Sequence, residues 1–231
     1  MTAHLAITPI LLPLAMGAAM LLLGARRRRL EAALAIGSSA LLLLNAIVLV
    51  AMADGPERLT AAYRLGDWPA PVAIVLVADR LSALMLLLAA SLGLINAVFA
   101  LRRWSRVGPY YYALPQFLLM GLNGAFLTGD LFNLFVFFEV LLAASYGLLL
   151  HGSGAPRVKA GLHYIVVNLA ASLLFLIGVG LIFGVTGTLN MAELAARVRA
   201  APDETRGLLH AGAAILGVAF LIKAAAWPLG F

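Results

Sequence analysis

Asp130-Leu131-Phe132-Asn133-Leu134-Phe135-Val136-Phe137-Phe138-Glu139-Val140-Leu141-Leu142-Ala143-Ala144-Ser145-Tyr146-Gly147-Leu148-Leu149-Leu150 is the stretch that decides the fold. Almost every residue in it is apolar, and one carboxylate stands at its centre. About 20 residues at roughly 1.5 Å each make a helix as long as a bilayer's hydrocarbon layer is thick. Glu139 lies nine residues after Asp130, so a helix carries it about 13 Å inward, close to the midplane. A lone ionised carboxylate at that depth is costly unless it is paired, hydrated or protonated. Such a residue either fastens helices together or handles charge.

The rest of the chain agrees with a membrane reading. Of 231 residues, 64% are hydrophobic and 11% charged, whereas a soluble domain is about half apolar and about a quarter charged. The expected fold class is all-α, a polytopic transmembrane helical bundle. Cysteine is absent, which excludes disulfides and thiolate metal sites. The net charge of +6 does not argue for nucleic acid, because the basic residues flank apolar runs, where they set topology. The first apolar run does not read as a cleaved signal, since Arg26 to Arg29 follow it rather than precede it.

About seven spans are expected. The first covers about Leu5 to Gly24 and contains Pro9 and Pro13, which a membrane helix tolerates when neighbours satisfy the freed carbonyls. The second covers about Glu31 to Ala53 and stops at Asp54-Gly55-Pro56, before a polar loop to Pro71. The third covers about Val72 to Ala100. The fourth, about Tyr110 to Thr128, is short and carries Pro115. Thr128-Gly129-Asp130 reads as a tight turn, with Asp130 capping the fifth span. The sixth covers about Gly161 to Val185, and a mixed-charge loop follows. The seventh begins near Leu208, holds Lys223 deep within it and is broken near Pro228. Alternate loops hold nine basic residues (Arg26 to Arg29, Arg102, Arg103, Arg106, Arg157, Lys159) against six (Arg58, Arg64, Arg80, Arg197, Arg199, Arg206). The richer side is expected to be cytoplasmic and the N-terminus external.

Three residues are candidates for proton transfer. Glu139 shares a helical face with Phe132, Phe135, Val136, Leu142, Ala143 and Tyr146. Burial raises a carboxyl's pKa and a nearby cation lowers it, so a carboxyl between the two can load and release a proton. The competing reading is a glutamate that only locks two helices. Lys223 sits in Phe220-Leu221-Ile222-Lys223-Ala224-Ala225-Ala226-Trp227-Pro228, where Pro228 removes a backbone donor and frees carbonyls one turn from the ammonium. Its competing reading is a lysine snorkelling to the surface. A Glu and a Lys on different helices form a switchable ion pair. His163, ahead of Asn168 and Ser172 on the sixth span, is either a proton relay or an interfacial histidine. His151 reads as a helix-end cap, and Asp79 and Arg80 as a pair made locally or with loops. No phosphate loop, metal-ligand cluster or haem-spaced histidine pair is present, so no cofactor or metal is expected.

These residues also carry a resemblance. Gly129-Asp130-Leu131-Phe132-Asn133-Leu134-Phe135-Val136-Phe137-Phe138-Glu139-Val140 resembles the fifth-helix signature of the D-type subunits of the multisubunit Mrp-type sodium/proton antiporters. Phe183-Gly184-Val185-Thr186-Gly187-Thr188-Leu189-Asn190-Met191-Ala192-Glu193-Leu194 looks like the loop after helix six in those subunits. Lys223-Ala224-Ala225-Ala226-Trp227-Pro228-Leu229 is similar to their seventh-helix lysine motif. The wider superfamily of proton-conducting transporters includes the antiporter-like subunits of NADH:quinone oxidoreductase and of membrane-bound hydrogenases.

The resemblance implies a membrane subunit of a hetero-oligomeric cation (Na+)/proton antiporter rather than an enzyme. It implies that Glu139 and Lys223 are the paired proton-handling residues of one half-channel; His163 stands where relatives often carry lysine. Partners would be other membrane subunits and lipid, in a bacterial cell membrane. Relatives have about fourteen spans built as inverted repeats, so the chain is expected to hold about half a subunit. Residues 1–109 would then be an N-terminal three-helix segment and residues 110–231 an incomplete first proton-channel repeat. The rival expectations are a proton-pumping subunit of NADH:quinone oxidoreductase or a hydrogenase, and a non-conducting scaffold.

Overall fold

The computed structural model describes residues 2–24, 27–54, 61–67, 74–102, 110–152 and 154–227. Its helices are α1 (Thr8–Leu23), α2 (Arg28–Ala53), α3 (Arg80–Ala100), α4 (Ala113–Leu127), α5 (Leu131–Leu150), α6 (Ala155–Thr186), α7 (Met191–Arg199) and α8 (Asp203–Lys223). Strands β1 (Ala61–Arg64) and β2 (Val75–Ala78) pair into a two-stranded sheet. Among the described residues, α2, α3, α5, α6 and α8 are long and apolar enough to cross a membrane, and α1 and α4 are shorter apolar helices. These seven answer to the seven expected spans, and the fold is an all-α polytopic bundle.

Four boundaries differ from expectation; the seventh span was expected from near Leu208, but α8 already starts at Asp203, directly after Pro202, and takes Asp203, Glu204 and Arg206 into its first turns. The third span was expected from about Val72, but the helix starts only at Arg80. Val75–Ala78 is a strand, and Asp79 then caps α3 by accepting from the Ser82 N–H at 2.7 Å. Arg80 pairs with Asp54 at the end of α2. The mixed-charge loop after the sixth span contains α7. Its start is capped by Asn190, whose side chain accepts from the N–H groups of Ala192 and Glu193, and Glu193 and Arg197 pair one turn apart. Finally, α6 begins at Ala155 and runs for 32 residues, about 48 Å. It therefore outreaches the hydrocarbon layer, and Arg157 and Lys159 belong to its first turns.

The chain divides into two compact units. The first comprises Met1–Tyr63, Leu76–Thr128 and Phe137–Gly154; the second comprises Arg64–Val75, Gly129–Val136 and Ala155–Phe231. In the first, one end of the core gathers Met20, Ala32, Ala35, Ala97, Ala100, Tyr111, Tyr112 and Ala113. The alanines let α2, α3 and α4 approach closely.

Buried amides knit the same unit. Pro13 has no N–H, so the carbonyl four residues earlier, that of Pro9, loses its helical donor. Asn123 on α4 supplies the missing bond: its Nδ2 donates to the Pro9 carbonyl at 2.9 Å. Gln116, also on α4, accepts from the Ser38 hydroxyl at 2.9 Å and donates towards the Ala35 carbonyl and Ser39. Pro115 sits in the first turn of α4, where a missing N–H is harmless.

In the second unit α6 and α8 form an antiparallel pair. At Gly178 an added Cβ would lie 2.9 Å from the Gly212 carbonyl oxygen and 3.0 Å from the Leu216 nitrogen. The two backbones therefore touch, and a glycine is required there.

Candidate proton-handling site

The site begins with the turn that launches α5. Asp130 caps the helix as expected, its Oδ1 accepting from the Asn133 N–H at 2.8 Å. Extended backbone on either side is stitched into neighbours within the second unit. The Gly129 N–H donates to the Val75 carbonyl, the Leu131 N–H to that of Leu189, and the Met191 N–H to that of Gly129. Asp130 and Asn190 thereby form an antiparallel bridge. Thr188, fully buried, donates its hydroxyl to Glu193 at 2.8 Å. The Thr188 hydrogen bond, then that of Arg197, hold the Glu193 carboxyl below the usual glutamate range. The loop picked out by its resemblance is thus the cradle for the start of α5.

Glu139 lies two turns further on, in the first unit, and is half-buried. Its direction follows from its neighbours. A Cβ at Gly124 would strike the Phe137 ring, and one at Gly121 would meet the Leu141 backbone nitrogen at 2.6 Å. Phe137 and Leu141 therefore form the face of α5 laid against α4. Glu139, two residues from each, stands about 200° round the helix, away from α4. It shares its face with Phe135, one turn earlier.

Lys223 lies in the second unit, as the last residue of α8. Its Nζ donates to the hydroxyl of Ser172 on α6 at 3.1 Å. Ser172 is buried, and Lys223 half-buried. The pair is part of a ladder between the two helices. Phe175 and Phe220 meet edge to face at 5.5 Å, and Phe135 from the start of α5 packs on Phe175 at 5.9 Å.

The break in α8 comes earlier than the sequence suggested. Pro228 lies outside the described residues; the helix ends at Lys223. Ala225 adopts φ +50°, while the Ala226 N–H bonds to the Leu221 carbonyl and the Ala225 N–H to that of Ile222, both at 3.0 Å. This double closure is a left-handed helix terminus usually built on glycine; with alanine it stores about 1 kcal/mol of strain. The Phe220 carbonyl bonds to the Ala224 N–H, so the carbonyls of Phe220, Leu221 and Ile222 are all engaged. What favours the ammonium is its place at the negative end of the α8 dipole.

His163 belongs to the second unit and is exposed on α6. It precedes Ser172 by nine residues, about 13 Å along the helix. His151 is buried at the end of α5, its ring 5.1 Å from that of Tyr111. Among the described residues no three His, Asp or Glu side chains gather as a metal site. Charge-centred reading of the sequence passed over Asn123 and Gln116, whose signal was an amide within an apolar span. It also passed over Glu31, which is 2% exposed with an Oε1 that has no partner among the described residues.

Known proteins place this arrangement. Residues 128–231 match the family described as NADH:quinone oxidoreductase/Mrp antiporter, transmembrane. The chain is 56% identical to the probable K(+)/H(+) antiporter D-type subunit of Rhizobium meliloti over 99% of its own length and 43% of that protein's. It is 42% identical to the Na(+)/H(+) antiporter D-type subunit of Alkalihalophilus pseudofirmus over 99% of its length and 46% of the relative's. The structure of the Mrp complex from Dietzia sp. DQ12-45-1b contains a chain that superposes with a TM-score of 0.85 at 36% identity, covering 99% of this chain and 42% of that one. The chain thus spans less than half the length of these relatives. The Glu139 helix, the Asn190 cradle and the Lys223 terminus all lie inside residues 128–231, the part that matches the NADH:quinone oxidoreductase/Mrp antiporter transmembrane family, and the chain along its length is similar to D-type antiporter subunits.

Proposed function

We propose that the chain is the proton-handling part of a D-type subunit in a multisubunit monovalent cation/proton antiporter, with Glu139 and Lys223 as the groups that take up and pass on protons. One observation carries the reading: a carboxylate and an ammonium lie within helices apolar enough to span a membrane. The ammonium there rests on a neutral hydroxyl, Ser172. Intramembrane charges are costly, and their ordinary use is in ion paths. A carboxylate brought near the ammonium would favour the charged form of both; separation would release the lysine's proton. Similarity to subunits named for K+/H+ and Na+/H+ exchange supports the cation class. His163 is proposed as a relay at the far end of α6, and the partners as the other membrane subunits of the complex.

The test is Glu139→Gln in the complete antiporter complex, with proton flux followed in everted vesicles on adding Na+ or K+. Exchange should fall at least about a hundredfold, consistent with losing a proton carrier. Undiminished exchange with either cation would remove the proposal. The family's description also names NADH:quinone oxidoreductase, which supports a second reading, a proton-pumping subunit of a redox complex. Purification with redox subunits in place of antiporter subunits would favour it.

A further inference from the structure

We propose that Glu31 is a further proton-binding site of this chain: a buried carboxyl that carries its proton at neutral pH and gives it up when water or a cation reaches it from the arginine-bearing start of α2. It belongs to the first unit and stands apart from the roles proposed for Glu139 and Lys223.

Glu31 lies in the first turn of α2, just after Arg27, Arg28 and Arg29, all of them exposed. It is nonetheless 2% exposed, and its Oε1 has no hydrogen-bond partner among the described residues. None of the ion pairs among those residues includes it. Its neighbours are apolar: Ala32, the next residue, and Ala35, one turn on, belong to a cluster with Met20, Ala100 and Tyr112.

The helices packed on α2 bring it no charge. Neither α1 nor α4 has an ionisable side chain, and α3 has only Arg80, which pairs with Asp54 at the other end of α2. The turn Thr2–Ala6, which carries His4, meets α2 at Asn45, about four turns away. At the Glu31 end the described titratable groups are the three arginines, Arg102, Tyr110, Tyr111, Tyr112 and His151. Tyr111 donates to Asn96 and its ring lies on that of His151. The Tyr112 hydroxyl is a second buried polar group with no partner among the described residues.

A carboxylate taken out of water without a partner is costly, and it takes up a proton instead. The positive end of the α2 dipole and Arg28, one turn back, favour the charged form, but a helix end offsets only a small part of that cost and an exposed guanidinium is screened by water. The same two features serve release. When water or the Arg28 guanidinium reaches the carboxyl, its O–H bond breaks, the electron pair stays on oxygen and the proton passes to water. The carboxylate left behind then has a cation and helix N–H groups to hold it.

The experiment uses the full-length subunit in its complete complex in liposomes, with infrared spectra of wild type, Glu31→Gln and Glu139→Gln and assembly followed on native gels. At about pH 7 the wild type should show the C=O stretch of a protonated carboxyl that Glu31→Gln loses and Glu139→Gln keeps. Raising the pH should replace that band with a carboxylate stretch. Wild-type and Glu31→Gln spectra without that difference would overturn the proposal. A band that persists through the alkaline range in which the complex stays assembled would make Glu31 a permanently neutral group, and would overturn it too. Glutamine matches glutamate in size and is uncharged, so Glu31→Gln should assemble as wild type does. Failed assembly would show that the fold needs an ionised carboxylate there, the opposite of what is proposed.

Discussion

The interior of α1, α2 and α4 in the first unit and the α6–α8 pair in the second solve the same problem in opposite ways. Both bring polar groups into helices built for lipid. In the first, the hydrogen bonds that cross between helices are made by neutral amides: Asn123 supplies the donor that Pro13 denies to the Pro9 carbonyl, and Gln116 ties Ser38 to the Ala35 backbone. In the second, two backbones are pressed together at Gly178 and Gly212, and the polar group admitted beyond them is a lysine on a hydroxyl. Neutral amides have nothing to exchange, so they lock. The two units therefore differ in the kind of polar group that bonds across their helices, neutral amides in one and a lysine in the other.

The contrast can be broken most forcefully at the crossing. In Gly178→Val, the new Cβ meets the Gly212 oxygen and the Leu216 nitrogen, which are backbone atoms and cannot step aside. We expect a loss of about 3 kcal/mol, read as a lower unfolding temperature of the purified complex together with lost exchange. A stable complex of normal activity would mean that close packing does not hold the Ser172–Lys223 register.

A smaller effect is expected at the amide. Asn123→Leu leaves the Pro9 carbonyl without its donor and should cost about 1–2 kcal/mol of stability while exchange per assembled complex is kept. Pro13→Ala restores the helix's own N–H, so Asn123→Leu should cost little in that background. If the penalty persists there, the bond is not serving the proline.

The smallest effect concerns α7. The Glu193 carboxyl is held below its ordinary range by the Thr188 and Arg197 hydrogen bonds. A lowered folded-state pKa stabilises above the unfolded value and loses its contribution as pH falls through the folded one. Amides of α7 should therefore exchange hydrogen faster at about pH 3 than at about pH 7, after correction for intrinsic rates. Unchanged protection would show that Asn190 alone caps the helix. Glu193→Gln should remove the pH dependence.

Much of the architecture was legible beforehand because lipid imposes it. Length, apolarity and the four arginines after the first run sufficed to count the spans, and Asp130 announced the cap of α5 by its place after Thr128-Gly129. The errors fell where polar and apolar signals compete. Val75–Ala78 is apolar enough for a helix, yet it is β-branched and pairs as a strand until Asp79 restarts the chain. The loop after α6 is charged enough to look irregular, yet its charges sit one turn apart and Asn190 caps it.

By itself the sequence determined that the helices are long and apolar enough to cross a bilayer and that Glu139 and Lys223 belong to two of them, because hydropathy and the rise per residue set the length of each apolar run. Tertiary structure alone decided what each charge meets. Asn123 completes α1, Glu139 turns from α4, Ser172 receives Lys223, and α8 ends at that lysine rather than at the proline. Those outcomes depend on which helix faces which and at what register, and both are set by side-chain volume at a few glycines in contacts far apart along the chain.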